Sequence, residues 1–206
     1  MARLRKSRSD HMEVAIHPEA AVQLTAYTAV PATFLVASIL DVAPSAGHFT
    51  LSERRVARPY VKDYDAIPGN SPRAWPARFQ VGDWGFFSAR LDGRWVGASA
   101  VAPDPSLAPG AGAGDCVLWD LRVAPDYRGR GIGQTLFSAV EKWARERGHS
   151  GLVAETQNVN APACRLYERC GCFLVRVDSA AYPDMPDESR MLWRKQLGTV
   201  DRAAST

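Results

Sequence analysis

Gly129, Gly131 and Gly133 stand at alternate positions between a hydrophobic run and an amphipathic one, with Arg128 and Arg130 interleaved. A strand that turns through glycines into a helix leaves backbone N–H groups pointing outward at the helix N-terminus. Those donors, with the positive end of the helix dipole, make a site for a phosphate or pyrophosphate. Side chains at these positions would hold the anion away from the backbone. Two familiar anion sites do not fit. The Walker pattern needs Gly-Lys-Ser/Thr, and Ile132-Gly133-Gln134 supplies none of it. The dinucleotide pattern G-x-G-x-x-G takes Gly129 and Gly131, but Gln134 stands where its third glycine belongs. The plain alternative is a strand-to-helix turn without a ligand.

Other chemistries find less support. His11, His17, His48 and His149 are scattered without ligand spacing, so no metal is expected. No Ser-His-Asp order and no Cys-His pair stands out. Cys170-Gly171-Cys172 is too tight for a CxxC site. Cys116, Cys164, Cys170 and Cys172 read as free thiols of a reducing cytoplasm, mostly packed in a core.

The elements around the loop follow from periodicity and turn residues. Thr33 to Leu40 is β-prone and reads as a first strand, with another extended piece over Phe49 to Val61. Residues 62–76 carry four proline and glycine breaks and read as a loop of the kind that shapes a substrate site. Trp84–Leu91 and Arg94–Val101 read as strands joined at the Asp92-Gly93 hairpin signal. A Pro/Ala/Gly loop, 103–114, leads into a strand over Cys116–Val123 that feeds the glycines. Ile132, Leu136, Val140, Trp143 and Arg147 share one face of the helix that follows, with Glu141, Lys142, Arg145 and Glu146 facing away and Gly148 ending it. Leu152–Thr156 is a buried type of strand. Asn160 suits a helix N-cap, Pro162 the first turn and Gly171 the C-terminal end. Strands follow at Phe173–Val177 and Arg190–Leu197. The expected class is α/β, with a mixed sheet.

Length and composition set the frame. A chain of 206 residues, 46% hydrophobic and 23% charged, is ordinary for one soluble globular domain. That domain is expected at 21–198, with a basic tail over 1–20 and a frayed tail over 199–206. Arg3 to Arg8 has no interleaved aromatic residues, the net charge is only +3, and Met12 offers an alternative start. No nucleic-acid partner is therefore expected. The longest apolar run, Phe34 to Leu40, is too short to span a bilayer, and no secretory h-region is visible. A cytoplasmic protein without a membrane partner is expected.

A second motif sits about one strand and one helix after the glycines. Asn160-x-x-Ala163-x-x-Leu166-Tyr167-Glu168, followed by Gly171, pairs with Arg128-x-x-Gly131-x-Gly133. In order and separation the two resemble the signature of the GNAT acetyltransferases over residues 116–175. One position departs: Cys172 stands where phenylalanine is usual, with Phe173 next. The stretch Glu155 to Cys164, with Tyr167 and Cys170-Gly171, further resembles the streptothricin (nourseothricin) acetyltransferases. So do Phe49-Thr50-Leu51, Lys62-Asp63-Tyr64-Asp65, Asp178 to Pro183 and Met191-Leu192-Trp193.

The resemblance implies a GNAT-type, mostly antiparallel twisted sheet flanked by helices, and an N-acetyltransferase with acetyl-CoA as cosubstrate. By it, the backbone of Arg128, Gly129, Arg130, Gly131, Ile132, Gly133 and Gln134 binds the pyrophosphate. The strand Leu121, Arg122 and Val123 carries the pantetheine arm on the backbone of Leu121 and Val123. Arg128 and Arg130 either add charge near the phosphates or are surface residues. Asn160 bonds the arm, caps the helix, or does both, with Ala163 beside it. Tyr167 is the acid that protonates the departing thiolate, or a core tyrosine. Asp120 and Glu155 are the candidate bases, acting directly or through a water, and either also suits a structural bond or a charge contact. The implied acceptor is the β-lysine amine of a streptothricin-type antibiotic, a small polycation for which Asp63, Asp65, Asp120, Glu155 and Asp184 offer acidic charge. A polyamine, an aminoglycoside, a protein lysine, and a module that binds acetyl-CoA without catalysis stand as alternatives. A homodimer through the last strands is expected from the same resemblance.

Overall fold

The computed structural model describes residues 14–198. The two flanking tails, with the Arg3–Arg8 run, His11 and Met12, lie outside the described residues. A seven-stranded sheet carries the architecture. Its strands are β1 (Ala15–Glu19), β4 (Gly85–Leu91), β5 (Arg94–Ala102), β6 (Asp115–Val123), β7 (Gly151–Gln157), β8 (Phe173–Asp178) and β9 (Arg190–Gln196). Their order is β1-β4-β5-β6-β7-β9-β8, and β6 with β7 is its one parallel pair. The sheet is therefore mixed and mostly antiparallel, as expected. A separate two-stranded ribbon joins β2 (Thr33–Ser45) to β3 (His48–Asp63).

Two boundaries differ from the sequence reading. Residues 1–20 are not wholly a tail, because β1 pairs with β4 from Ala15↔Arg90 to Glu19↔Phe86. Short edge strands of mixed polarity give almost no period-2 signal, which hides β1 from the sequence. Thr33–Leu40 is the beginning of a thirteen-residue second strand outside the main sheet, running on to Ser45.

Helices cover both faces. α3 (Ile132–Glu146) and α4 (Ala161–Arg169) pack on one face, where Leu136, Phe137, Val140, Tyr167 and Trp193 share a core with Val101 and Leu118. Two short helices, α1 (Leu24–Tyr27) and α2 (Trp75–Arg78), cover the other with Tyr27, Trp75, Trp84, Phe86 and Val153. Burying one such side chain contributes roughly 1.5–3 kcal/mol. The five large apolar side chains buried on α3 thus fix its N-terminus firmly against β6. Glu141 does not face away as its place on the helix suggested. It is half-buried against β9, accepting from Lys195 Nζ and Arg145 Nη2, both at 2.6 Å. Asp92 and Gly93 both have positive φ, 49° and 76°, the geometry that lets a two-residue turn follow the strand twist.

Candidate active site

The site begins with an irregularity in β6. Its pairing with β5 slips between Ala100↔Asp120 and Val101↔Leu118, which leaves Trp119 as an extra residue. A bulge of this kind turns two successive side chains toward the same face. On its other edge β6 pairs with β7 only as far as Leu118↔Ala154. Beyond that point the strands part, and Trp119–Val123 has no strand on that side. A groove of about 670 Å³ opens there, walled by Leu121, Val123, Asn160 and Ala163, by the glycine turn, and by Phe34 of the β2–β3 ribbon.

The glycine turn delivers the start of α3 into this groove. Gly129 and Gly131 have φ of 74° and 83°, and an added Cβ would meet nothing within 4 Å at either position. Backbone conformation, not crowding, requires glycine there. Gly133 is different: a Cβ would stand 3.2 Å from Leu166 of α4, so it lets two helices approach. Gly131 is the N-cap of α3, with no side-chain cap. The N–H groups of Ile132, Gly133 and Gln134 therefore have no helical acceptor, and these three residues line the groove, an arrangement suited to an anion.

The arginines of the turn differ in their engagements. Arg128 donates from Nε to the Val123 carbonyl at 2.8 Å and from Nη2 to the Thr33 carbonyl at 2.6 Å, tying the loop to the ribbon. Partial burial lowers its pKa from the usual arginine range. It also takes one lone pair of the Val123 carbonyl. Arg130 lies over the Tyr127 ring, 5.5 Å from its centroid.

Arg122 is buried beneath the groove, and all five of its guanidinium N–H groups are used. Two donate to Asp120 at 2.8 Å, two to Asp65 at 2.8 and 3.1 Å, and one to the Val30 carbonyl at 3.1 Å. Its face lies over the Tyr27 ring, and the Tyr27 hydroxyl donates to Asp120 Oδ1 at 2.8 Å. Burial acts to lower the Arg122 pKa, but Asp120, Tyr27 and Asp65 outweigh it and the net shift is upward. Burial, then Asp120, pushes the Tyr27 phenol up and keeps it a donor. Asp120 thus carries three hydrogen bonds, and a carboxylate has room for about four.

Of the acidic residues considered, Asp120 and Asp65 meet through Arg122. Asp63 accepts from the Asp65 N–H at 3.0 Å, Asp184 is exposed, and Glu155 lies apart, accepting from the Tyr182 hydroxyl at 2.9 Å. The groove wall includes Asp120 but neither Glu155 nor Tyr167, whose helix α4 reaches the wall through Ala163 and Leu166. Asn160 caps α4, its Oδ1 accepting from the Ala163 N–H at 3.2 Å. Tyr167 is buried between the rings of Phe137 and Trp193, and that burial raises its pKa well above the ordinary phenol value. Cys172 occupies an inward, buried position, and Phe173 turns outward, 52% exposed. The departure from the motif is therefore one of packing.

Several residues of this constellation escaped the sequence. Tyr27 and the Arg122 side chain carried no recognised motif. One signal was available: Asp120 and Arg122 are two apart in a strand, so they share a face and can pair. Among the described residues no three His, Cys, Asp or Glu side chains gather to hold a metal, and no helix is long and apolar enough to cross a membrane.

Comparison with known proteins fits this geometry. Residues 54–172 match the Acetyltransferase (GNAT) family. The chain belongs to this family. It is 30% identical to the streptothricin acetyltransferase of Escherichia coli over 174 residues, which covers 82% of the chain and 89% of that relative. The crystal structure of nourseothricin acetyltransferase superposes with a TM-score of 0.68 at 26% identity, covering 90% of the chain and 99% of its own. A Bacillus anthracis candidate streptothricin acetyltransferase, solved in complex with acetyl coenzyme A, shares the fold at a TM-score of 0.72 and 22% identity, over 92% and 100% of the two chains. This GNAT protein is an acetyl-CoA-dependent N-acetyltransferase.

Proposed function

We propose that the chain acetylates the β-lysine amine of streptothricin-type antibiotics. The observation that carries this reading is the pair of carboxylates, Asp65 and Asp120, set against the single guanidinium of Arg122, with Asp120 and Arg122 at the wall of the groove and Asp65 behind them. Two negative charges against one positive leave a site that favours a cationic amine. The similarity to a relative named for streptothricin supports the same acceptor.

The groove fits acetyl-CoA in its chemistry. Free N–H groups of Ile132 to Gln134 suit a pyrophosphate, and the unpaired edge of Leu121 and Val123 suits an extended amide-bearing arm. When bound, acetyl-CoA supplies the acyl group as a thioester. Asp120 holds the incoming ammonium and takes its proton, directly or through a water. Asp120 is preferred over Glu155 because it lines the groove. Tyr167, kept protonated by burial, delivers a proton to the leaving sulfur. Phe173 and Val175 lie exposed on β8, the edge strand, and support a homodimer through that edge.

The test is the product mass after incubation with acetyl-CoA and streptothricin. A gain of one acetyl group supports the reading. No product, with acetyl-CoA binding intact by calorimetry, removes the antibiotic and turns the search to polyamines and lysine peptides.

A further inference from the structure

Glu155 has no place at the groove wall, yet it terminates a chain of hydrogen bonds that begins there. Asn160 fixes the direction of the chain. A backbone N–H only donates, so the bond from Ala163 places the Asn160 amide oxygen toward α4 and its nitrogen toward Tyr64. Asn160 Nδ2 donates to the Tyr64 hydroxyl at 3.3 Å, and Tyr64 donates to Gln157 Oε1. Gln157 Nε2 donates to the Tyr182 hydroxyl at 2.8 Å, and Tyr182 donates to Glu155 Oε1 at 2.9 Å. Every bond runs the same way. A backbone donor fixes one end, and a carboxylate, which only accepts, fixes the other.

The chain joins four parts of the fold: the N-cap of α4, the residue after β3, strand β7, and the connection from β8 to β9 that holds Tyr182. Its members are sheltered. Burial pushes the Tyr64 phenol up against the pull of Asn160 and Thr156, and burial with the Glu155 charge does the same for Tyr182. Both phenols therefore stay protonated, and each has one hydrogen to give. Arg190 stands 4.0 Å from the second Glu155 oxygen and holds the carboxylate from the other side.

We propose that Glu155 is a positioning residue which, through Tyr182, Gln157 and Tyr64, locks the Asn160 amide as a donor toward the acetyl-CoA groove. One amide hydrogen of Asn160 goes to Tyr64, and the second remains for a carbonyl of the ligand. Without the chain only the Ala163 bond holds the amide, its nitrogen side is left unrestrained, and the cost of ordering that side falls on ligand binding. The inference rests on acetyl-CoA occupying the groove beside Asn160, and is independent of which amine is acetylated.

The test reads acetyl-CoA affinity by calorimetry, without any acceptor. Tyr182→Phe removes one bridging oxygen at a residue outside the groove wall, and weakens binding roughly three- to tenfold, the size of one lost hydrogen bond. Glu155→Gln keeps an acceptor oxygen for Tyr182 and stays within about twofold of wild type, whereas Glu155→Leu falls with Tyr182→Phe. Asn160→Ser keeps the helix cap but has no amide. In that background Tyr182→Phe has no further effect. An unchanged affinity for Tyr182→Phe overturns the proposal, and so does a full additional loss in the Asn160→Ser background. Failure of the wild type to bind acetyl-CoA removes the reading of the groove itself, and failure to acetylate streptothricin removes only the proposed acceptor.

Discussion

Three side chains that could each move a proton lie in three different surroundings, and those surroundings divide the work. Asp120 is at the groove, held by Arg122 and Tyr27 with room for one more donor. Tyr167 is buried among rings, so its proton stays on at neutral pH. Glu155 is 32% exposed and engaged by Tyr182. Replacing Asp120 by Asn keeps size and removes the charge to which the proposed mechanism assigns attraction and deprotonation of the amine. A fall in kcat of about 10²-fold is expected, with acetyl-CoA affinity retained. Tyr167→Phe keeps the packing and removes only the hydroxyl. Its kcat is expected to fall by about the same factor with KM for the amine unchanged, because the proposed proton transfer to sulfur is made only in the transition state. Steady-state kinetics with the two substrates varied in turn checks both. A kcat within about twofold of wild type for either variant would remove that residue from the chemistry.

Around the groove the elements are held in register by the buried Arg122 and by the glycine turn. Arg122 joins the segment after α1 through Val30, the loop after β3 through Asp65, and β6 through Asp120. Arg122→Met leaves two carboxylates without their partner, at a cost of about 3–5 kcal/mol, and the thermal midpoint falls by roughly 10 °C. Gly131→Ala acts locally: an L-residue at φ 83° costs about 1–2 kcal/mol, and the turn relaxes away from the shape proposed to bind the pyrophosphate. Acetyl-CoA binding weakens in this variant while kcat at saturation holds, which calorimetry and kinetics together would show. The glycine turn, the α3 face, the Asp92-Gly93 hairpin and the Asn160 cap were all legible in the sequence. Each rests on a short-range rule of φ, periodicity or capping. The Arg122 cluster and the Asn160–Glu155 chain were not, because they join residues such as Tyr27 and Asp120, or Tyr64 and Gln157, that lie 93 positions apart. The tyrosine that gives Asp120 its third hydrogen bond belongs to a four-residue helix with no periodicity to read.

At the scale of the whole molecule, the parting of β6 and β7 makes the groove, and the packing at the closed end of that pair keeps the two halves of the sheet together. His149 lies there, just before β7, stacked on Trp143 with centroids 5.9 Å apart. Burial lowers its pKa below the ordinary histidine value, assisted by Arg147 and opposed by the Gly114 backbone and Asp115. Glu141, on the same helix, is depressed on balance: burial raises its pKa, but Lys195 and Arg145 lower it further. Both shifts have the same sign for stability. A histidine held neutral protonates more readily in the unfolded chain, so stability is full above its unfolded pKa near 6.5 and declines as pH falls below it. A carboxylate held ionised contributes above its unfolded pKa near 4.3, and that contribution is lost as pH falls through the lower folded value. The thermal midpoint of the wild type should therefore drop in two stages on acidification from pH 7.5. His149→Gln should flatten the first stage, because no imidazole remains to titrate. Glu141→Gln should start lower at pH 7.5, lacking its bonds to Lys195 and Arg145, and converge on the wild type in acid. Scanning calorimetry of the three proteins between pH 7.5 and 3.5 measures this, and parallel curves for wild type and both variants would show that other groups govern the acid limb.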